Sequence, residues 1–427
     1  MFYTAIQDQT LYWILGTAPF GEYWGSSAPP LLEEPFRSRG SGESQGQKFP
    51  FVIPAPGSPE AKNFDFTPYE PLTSTLGYWK DNALPYGIHY NFTIQRELPA
   101  ATILQVGYVG HQGRHLEQRY EINPPGQSPG VNPDAVAAGA SPGSLGFDAP
   151  DTFRYDPFTF ASVGLQATDG TSNYNSLQVL VTKKTTHGLD FQSSYTWSHS
   201  LDSTSSVENA GRGTAPNPFN RRLNYGDSGY DARHRFVISY SYQIPSIRRY
   251  DSFRAVPSRL VEGWRFAGAT TLQTGFPLGL SDASAASLTC WNAYTSYGCS
   301  DRPNVVGPVK ISDPRNTNLI NATHGGTSTR ANYYFDPNSF APEEPGVIGN
   351  AGSNFFHGPG INNWTFGFYK DTKITESTKI ELRFEFFNLF NHTQFTSVGT
   401  NINSSTFGRA TASLDPRLIQ LAAKIYF

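Results

Sequence analysis

Residues 379–387 read KIELRFEFF, and the alternation within them decides the fold class. Successive side chains of an extended chain point to opposite faces. Ile380, Leu382, Phe384 and Phe386 therefore share one face, and Lys379, Glu381, Arg383 and Glu385 the other. One face is apolar and half aromatic, the other charged from Lys379 to Glu385. The same two-faced pattern recurs upstream. In YGIHYNFTIQREL (86–98), Tyr86, Ile88, Tyr90, Phe92 and Ile94 oppose Gly87, His89, Asn91, Thr93, Gln95 and Glu97. In LDFQSSYTWSHSL (189–201), Leu189, Phe191, Tyr195, Trp197 and Leu201 oppose Asp190, Gln192, Ser194, Thr196 and Ser198. In RHRFVISYSYQI (233–244), Phe236, Ile238, Tyr240, Tyr242 and Ile244 share a face. Weaker strands are expected at 101–110, 174–184, 261–278, 363–373 and 417–427.

A soluble β-sandwich also alternates, but two features favour a membrane barrel. The apolar face is unusually aromatic. The strands are also longer than the five or six residues typical of soluble sheets and fit the roughly 9–11 that a tilted strand needs to cross a bilayer. Composition agrees. Charged residues make up 16% of the 427-residue chain, against about 25% in a typical soluble protein. Mean hydropathy is nonetheless −0.42, and the sequence has no apolar run of the roughly 18 residues that a transmembrane helix needs. A barrel reconciles the two, because only every second strand residue must be apolar. The net charge of −3 with no clustered basic face argues against nucleic acid as a partner.

Connection lengths give an independent pattern. Tight turns are expected at Pro99-Ala100, at Thr186-His187-Gly188 and around Thr375-Glu376, with a medium link at 245–260. Long segments lie at 111–173, 202–232 and 279–362, and a last loop precedes 417–427. Short and long connections alternate, as periplasmic turns and extracellular loops do in outer-membrane barrels. Forty glycines and 32 prolines fit that many turns and loops. Low-complexity stretches such as GQSPGVNPDAVAAGASPGSLG (126–146) read as solvated loop. Two regions follow: a Pro-rich segment 1–85 with one to three strands around 2–15 and 72–80, and the barrel portion 86–427. Nine strands after residue 85 need at least one more to make an even number, giving about ten to twelve. The opening MFYTAIQDQTLYWILG lacks the features of a secretory signal. The expectation is a fragment, or a truncated reading frame, whose export signal lies upstream.

Several blocks resemble, in order, the barrels of TonB-dependent receptors of the Oar-like type, which carry a carboxypeptidase-regulatory-like domain. They are YNFTIQRELPAATILQVGYVGHQGRHL, NYNSLQVLVTKKTTHGLDFQSSYTWSHSLD, PFNRRLNYGDSGYDARHRFVISYSYQIP, GWRFAGATTLQTGFPL and DRPNVVG. The strongest is GNAGSNFFHGPGINNWTFGFYKDTKITESTKIELRFEFFNLFNHTQF, and FGRATASLDPRLIQLAAKIYF closes the series. The resemblance spans about residue 78 to Phe427. It implies part of an antiparallel barrel of about 22 strands, with the chain supplying roughly half, open and curved and with a free edge at 417–427. It implies an outer-membrane location and ligand uptake. The partners implied are outer-membrane lipid, the barrel assembly machinery, an unidentified small ligand, and TonB only through a plug-bearing N-terminal part. No cofactor is implied. The other reading is a passive or structural barrel, or a non-functional remnant. Leu421, Ala423, Ile425 and terminal Phe427 form an apolar face resembling the assembly signal of such barrels.

No nucleophile elbow, phosphate loop or zinc signature is present, so an enzyme is not expected. His111 and His115 have the spacing of helical metal ligands, but they sit at the end of a predicted strand and read as solvated polar residues. Glu381 and Glu385 interleave with Lys379 and Arg383 and read as a lumen-lining charge ladder, with His89 and Gln192 as further lumen residues. Asp231, Arg233, His234 and Arg235 read as a barrel-rim cluster. Trp197, Trp264 and Trp364 are expected in the aromatic girdles. Cys290 and Cys299, the two cysteines, are expected to pair in an extracellular loop, because that compartment is oxidising.

Overall fold

The computed structural model describes residues 2–3, 57–63, 75–121, 163–205, 214–215, 221–246, 248, 250, 254–283, 301–316, 319–324, 326–343, 349–354 and 356–427. Cys290 and Cys299, and the low-complexity stretch 126–146, lie outside the described residues.

The wall is one antiparallel sheet. Its strands in order are β1 (Phe2–Tyr3), β3 (Tyr86–Leu98), β4 (Thr102–Glu121), β5 (Val163–Thr186), β6 (Leu189–Asp202), β9 (His234–Gln243), β10 (Trp264–Gln273), β17 (Ile361–Lys373), β18 (Lys379–Phe387) and β21 (Leu418–Tyr426). Nine of these follow residue 85, and β1 makes ten. Three short strands flank the path: β2 (Thr75–Tyr78), β7 (Thr214–Ala215) and β8 (Gly226–Asp227). β2 runs parallel to β5, so the strand expected near 72–80 forms but is not part of the wall. Among the described residues the sheet is linear: β21 pairs with β18, β1 pairs with β3, and no ladder joins the two ends.

Register fixes the faces, because directly paired residues lie on the same side of a sheet. One side carries the unbroken row Tyr108–Leu177–Trp197, and the row Phe266–Phe368–Phe384–Leu421. The opposite side carries Asp190–Ser241–Ala267–Gly367–Glu385–Gln420. The alternation seen in single strands thus adds up to two continuous faces. Gly110 sits opposite Tyr90, whose ring lies over it and fills the place of the missing side chain.

The turns at one end are tight. Thr186 pairs with Leu189 across His187 (φ 53°) and Gly188 (φ 82°), the left-handed pair that a two-residue hairpin needs. A Cβ on Gly188 would stand 2.6 Å from the Gln243 carbonyl oxygen.

Two expectations are corrected at the other end. First, 111–173 is not one connection: β4 runs on to Glu121 and β5 starts at Val163. His111 and His115 therefore lie within a strand, with His115 (φ 55°) beside an irregularity in the ladder. The outer part of this hairpin alternates weakly in sequence, because its few apolar residues, Leu116, Tyr120, Leu165 and Ala167, are interrupted by polar ones and by ladder irregularities near His115 and Glu117. Second, the connections after β10 and β18 are not simply solvated loop. They form a cap of four two-stranded sheets: β11 (Pro277–Leu278) with β16 (Phe356–His357), β12 (Asn304–Val305) with β15 (Phe340–Ala341), β13 (Ile320–His324) with β14 (Thr327–Ala331), and β19 (Phe395–Val398) with β20 (Ala410–Ser413). Leu280, Phe335, Phe340, Phe356, Ile402 and Phe407 form its buried core. Phe335 is fully buried and meets the rings of Phe340, Phe356 and Phe407 edge-on at 5.1–5.5 Å between centroids.

Candidate functional site

The polar face of the sheet contains a hollow whose origin is the size of the side chains in adjacent rows. The row from Asp190 to Glu385 passes through Ser241, Ala267 and Gly367, and the row from Gln192 through Ser239, Ala269 and Thr365. Small residues in the middle of both rows leave a concavity of about 550 Å³, rimmed by Asp190, Gln192, Tyr369 and Glu385. Of the residues singled out in the sequence, Gln192 and Glu385 are brought together here from strands four apart in the sheet.

Beside the hollow the charges are paired. The Arg383 Nε donates to Glu381 Oε1, and the Tyr426 hydroxyl donates to Glu381 Oε2 at 3.1 Å. The Tyr369 hydroxyl donates to Glu385 Oε1 at 3.1 Å, and the Arg265 guanidinium stacks 4.2 Å from the centre of the Tyr369 ring. Lys379 Nζ lies 3.2 Å from Asp371 Oδ1 and 5.1 Å from the centre of the Tyr426 ring. Glu381 and Glu385 thus have different partners, and a paired-carboxylate catalytic reading has no geometry behind it. His89 stands apart: it faces His111 across β3 and β4, with their Nδ1 atoms 3.1 Å apart.

The three tryptophans all lie on the apolar face, at opposite ends. Trp197 pairs with His234 toward the long-connection end, and Trp364 meets Phe390 edge-on there at 5.5 Å. Trp264 stands at the other end, stacked on Phe368 at 4.7 Å, and its indole N–H donates to the Leu260 carbonyl at 2.9 Å. Leu421, Ala423 and Ile425 pair with Phe384, Leu382 and Ile380 on the same face, and Phe427 is 98% exposed beyond them.

At the mouth the rim cluster divides. Asp231 and Arg233 turn inward and join three residues that local spacing did not reveal: His199, Asp227 and His357. Asp231 has a fully buried side chain; it accepts from Ser200 N at 2.7 Å, lies 3.3 Å from Arg233 Nε and 3.2 Å from His357 Nε2. Asp227 lies 3.0 Å from His199 Nε2 and 3.3 Å from Arg233 Nη2. His234 instead meets the Tyr195 hydroxyl at 2.9 Å on the apolar side. Asp227, Asp231 and His357 present ligand atoms within 4.8 Å of one another. Arg233 already neutralises both carboxylates, so the arrangement is an ion-pair network pinning β6, β8 and the cap together.

A family model described as "Outer membrane beta barrel domain" matches residues 1–420. The chain belongs to this family. It is therefore an outer-membrane protein whose strands cross the membrane, with short periplasmic turns and long extracellular connections. No curated protein matches the chain. Among solved structures it is similar to the outer membrane transporter YddB from Escherichia coli, at 10% identity and a TM-score of 0.37 over 83% of this chain and 34% of that one. It is also similar to the ferric-catecholate import receptor Fiu from E. coli K12, at 10% identity and a TM-score of 0.35 over 88% and 30%. The ferripyoverdine receptor of Pseudomonas aeruginosa matches at 9% identity and a TM-score of 0.33 over 80% and 27%. The chain thus spans about a third or less of the length of these proteins.

Proposed function

We propose that this chain forms part of the barrel wall of a TonB-dependent receptor that takes up a ligand across the outer membrane. The observation that carries the reading is the hollow on the polar face. Serine, alanine and glycine at its centre with Asp190, Gln192, Tyr369 and Glu385 at its edge make a polar, hydrogen-bonding surface on the wall of a lumen. The ordered sequence blocks that resemble Oar-like receptors supply the TonB dependence. In this reading Gln192, His89, Lys379, Glu381, Arg383 and Glu385 line the lumen, while Trp197, Trp264 and Trp364 belong to the interfacial girdles. Leu421, Ala423, Ile425 and Phe427 present the strand read by the assembly machinery, and 86–427 is the barrel portion.

Growth of the source bacterium on iron chelates, cobalamin, glycans and peptides as single nutrient sources tests this. Deleting the chain should abolish use of one nutrient, and deleting TonB should abolish the same one. Loss with the chain but not with TonB would replace the receptor with a passive barrel; no loss in any medium would leave a remnant.

A further inference from the structure

The cap holds a second concavity, apart from the hollow in the wall. It measures about 800 Å³ and opens between the β13–β14 hairpin, the stretch Asn338–Pro342 and the pair Ile402–Asn403. Register sets Asn321 opposite Arg330 and Thr323 opposite Ser328, so these four share one face of the hairpin, and all four are exposed. The Thr323 and Ser328 hydroxyls are hydrogen-bonded to each other at 2.7 Å. Asn338 Nδ2 donates to the Asn321 carbonyl at 3.1 Å and ties the second wall to the hairpin. Asn403 Oδ1 accepts from Ala283 N at 2.6 Å, which fixes the amide and leaves its N–H groups for a ligand. The floor stands on the cap core, to which Phe340 and Ile402 belong.

The chemistry of this lining selects a ligand class. Sites for apolar molecules are lined mainly by hydrophobic and aromatic side chains. Here amides and hydroxyls prevail, and these groups both donate and accept hydrogen bonds. Sugar hydroxyls have the same two-way character. Ala322, Ala341 and Pro342 add a small apolar surface that the C–H face of a sugar ring can cover. Charge narrows the class. Among the described residues the lining includes the Arg330 guanidinium and no carboxylate. One guanidinium matches one carboxylate through two parallel hydrogen bonds, whereas a phosphate dianion would keep an unbalanced charge. The volume lies within the roughly 300–1,000 Å³ of small-molecule sites.

We propose that this concavity binds a short acidic oligosaccharide, with a hexuronate carboxylate on Arg330 and neighbouring sugar hydroxyls on Asn321, Asn338 and Asn403. The cap stands on the extracellular side, where such a saccharide reaches it without crossing the membrane. The site shares no residue with the hollow of the wall, and binding there does not depend on uptake.

The test is calorimetric titration of the full chain, extracted from the outer membrane in detergent. The probes are trimers of galacturonate, mannuronate and glucuronate, each beside its carboxyl-reduced neutral counterpart. Expected is saturable binding of at least one acidic trimer, about tenfold or more tighter than its neutral counterpart, as a hydrogen-bonded charge pair implies, and weakened by added salt. Arg330→Gln should remove that preference and leave the affinity for the neutral trimer unchanged. Asn403→Ala should weaken both severalfold. Arg330 is exposed, so its variant should melt at the temperature of the unmodified chain, which separates lost binding from lost folding. No saturable binding of any acidic trimer by the unmodified chain overturns the proposal, and that measurement needs no variant. Equal affinity for acidic and neutral trimers, or an Arg330→Gln chain that keeps the preference, also overturns it. The titration is read without transport, so its failure leaves the uptake reading untouched.

Discussion

Phe384 sits between Phe368 and Leu421 on the apolar face, whereas Gln192 stands exposed at the edge of the polar hollow. A lysine at Phe384 should cost about 2–4 kcal/mol of stability in a bilayer, the range for a cation near the midplane on the lipid side. The same change at Gln192 should cost far less, because the polar face can solvate it. Urea titration of the two variants in lipid vesicles measures the difference, and equal losses would contradict the assignment of faces. These assignments were legible in sequence because alternation is a property of each strand alone. The mouth was not: Asp231 meets His357 across 126 positions of chain, and no local spacing encodes that meeting. His324 carries a second prediction. Its ring lies 4.9 Å from that of Phe407 between centres, tilted, and burial holds its imidazole below the usual value of 6.5, opposed by the hydrogen bonds it donates to the backbone carbonyls of Ile402 and Pro337. The folded state therefore favours the neutral ring. Its contribution is present above about pH 6.5 and is lost as the pH falls below that value. Proteolysis of the cap should quicken between pH 7 and pH 5, and His324→Phe should flatten that dependence; an unchanged profile in the variant would assign it to another group.

Among the elements, the tight turns combine glycine and non-glycine residues in left-handed backbone. Gly188 has φ 82° and a carbonyl where its Cβ would be, so Gly188→Val should destabilise the β5–β6 hairpin by about 2 kcal/mol. Ala100 and Ala101 hold φ values of 59° and 53° at the β3–β4 turn. Ala100→Gly should relieve this and raise stability by about 1 kcal/mol. Thermal or urea unfolding of both variants decides; a neutral Gly188→Val would mean that the hairpin does not use this turn. The sequence placed both turns, since His-Gly and Pro-Ala interrupt alternating segments. It also set β3 at its observed limits, and β18 and β21 to within a residue at each end. It failed on the outer halves of β4 and β5, where apolar and polar residues do not alternate regularly. It failed again on the cap, whose strands of two to five residues are too short to show a period, although Tyr333, Tyr334, Phe335 and Phe340 form an aromatic cluster in the sequence.

For the whole molecule, the path of the wall has ten strands among the described residues. The sheet the residues describe is open, with β21 bonded on one side to β18. Unpaired strand edges are costly in lipid, so amides of β21 that do not bond to β18 should exchange hydrogen much faster than those of β17, which is bonded on both sides. Equal protection of the two strands would mean that β21 has a second neighbour. Everything else rests on the division of the sheet into a lipid face and a lumen face, which a nitroxide scan through residues 379–387 and 418–426 of the membrane-embedded chain measures directly. Labels at Leu382, Phe384, Leu421 and Ala423 should be accessible to oxygen dissolved in lipid, and those at Glu381, Arg383, Gln420 and Ala422 to a water-soluble nickel chelate, alternating residue by residue. A profile without that alternation, with both sets equally open to the chelate, would contradict a membrane barrel wall.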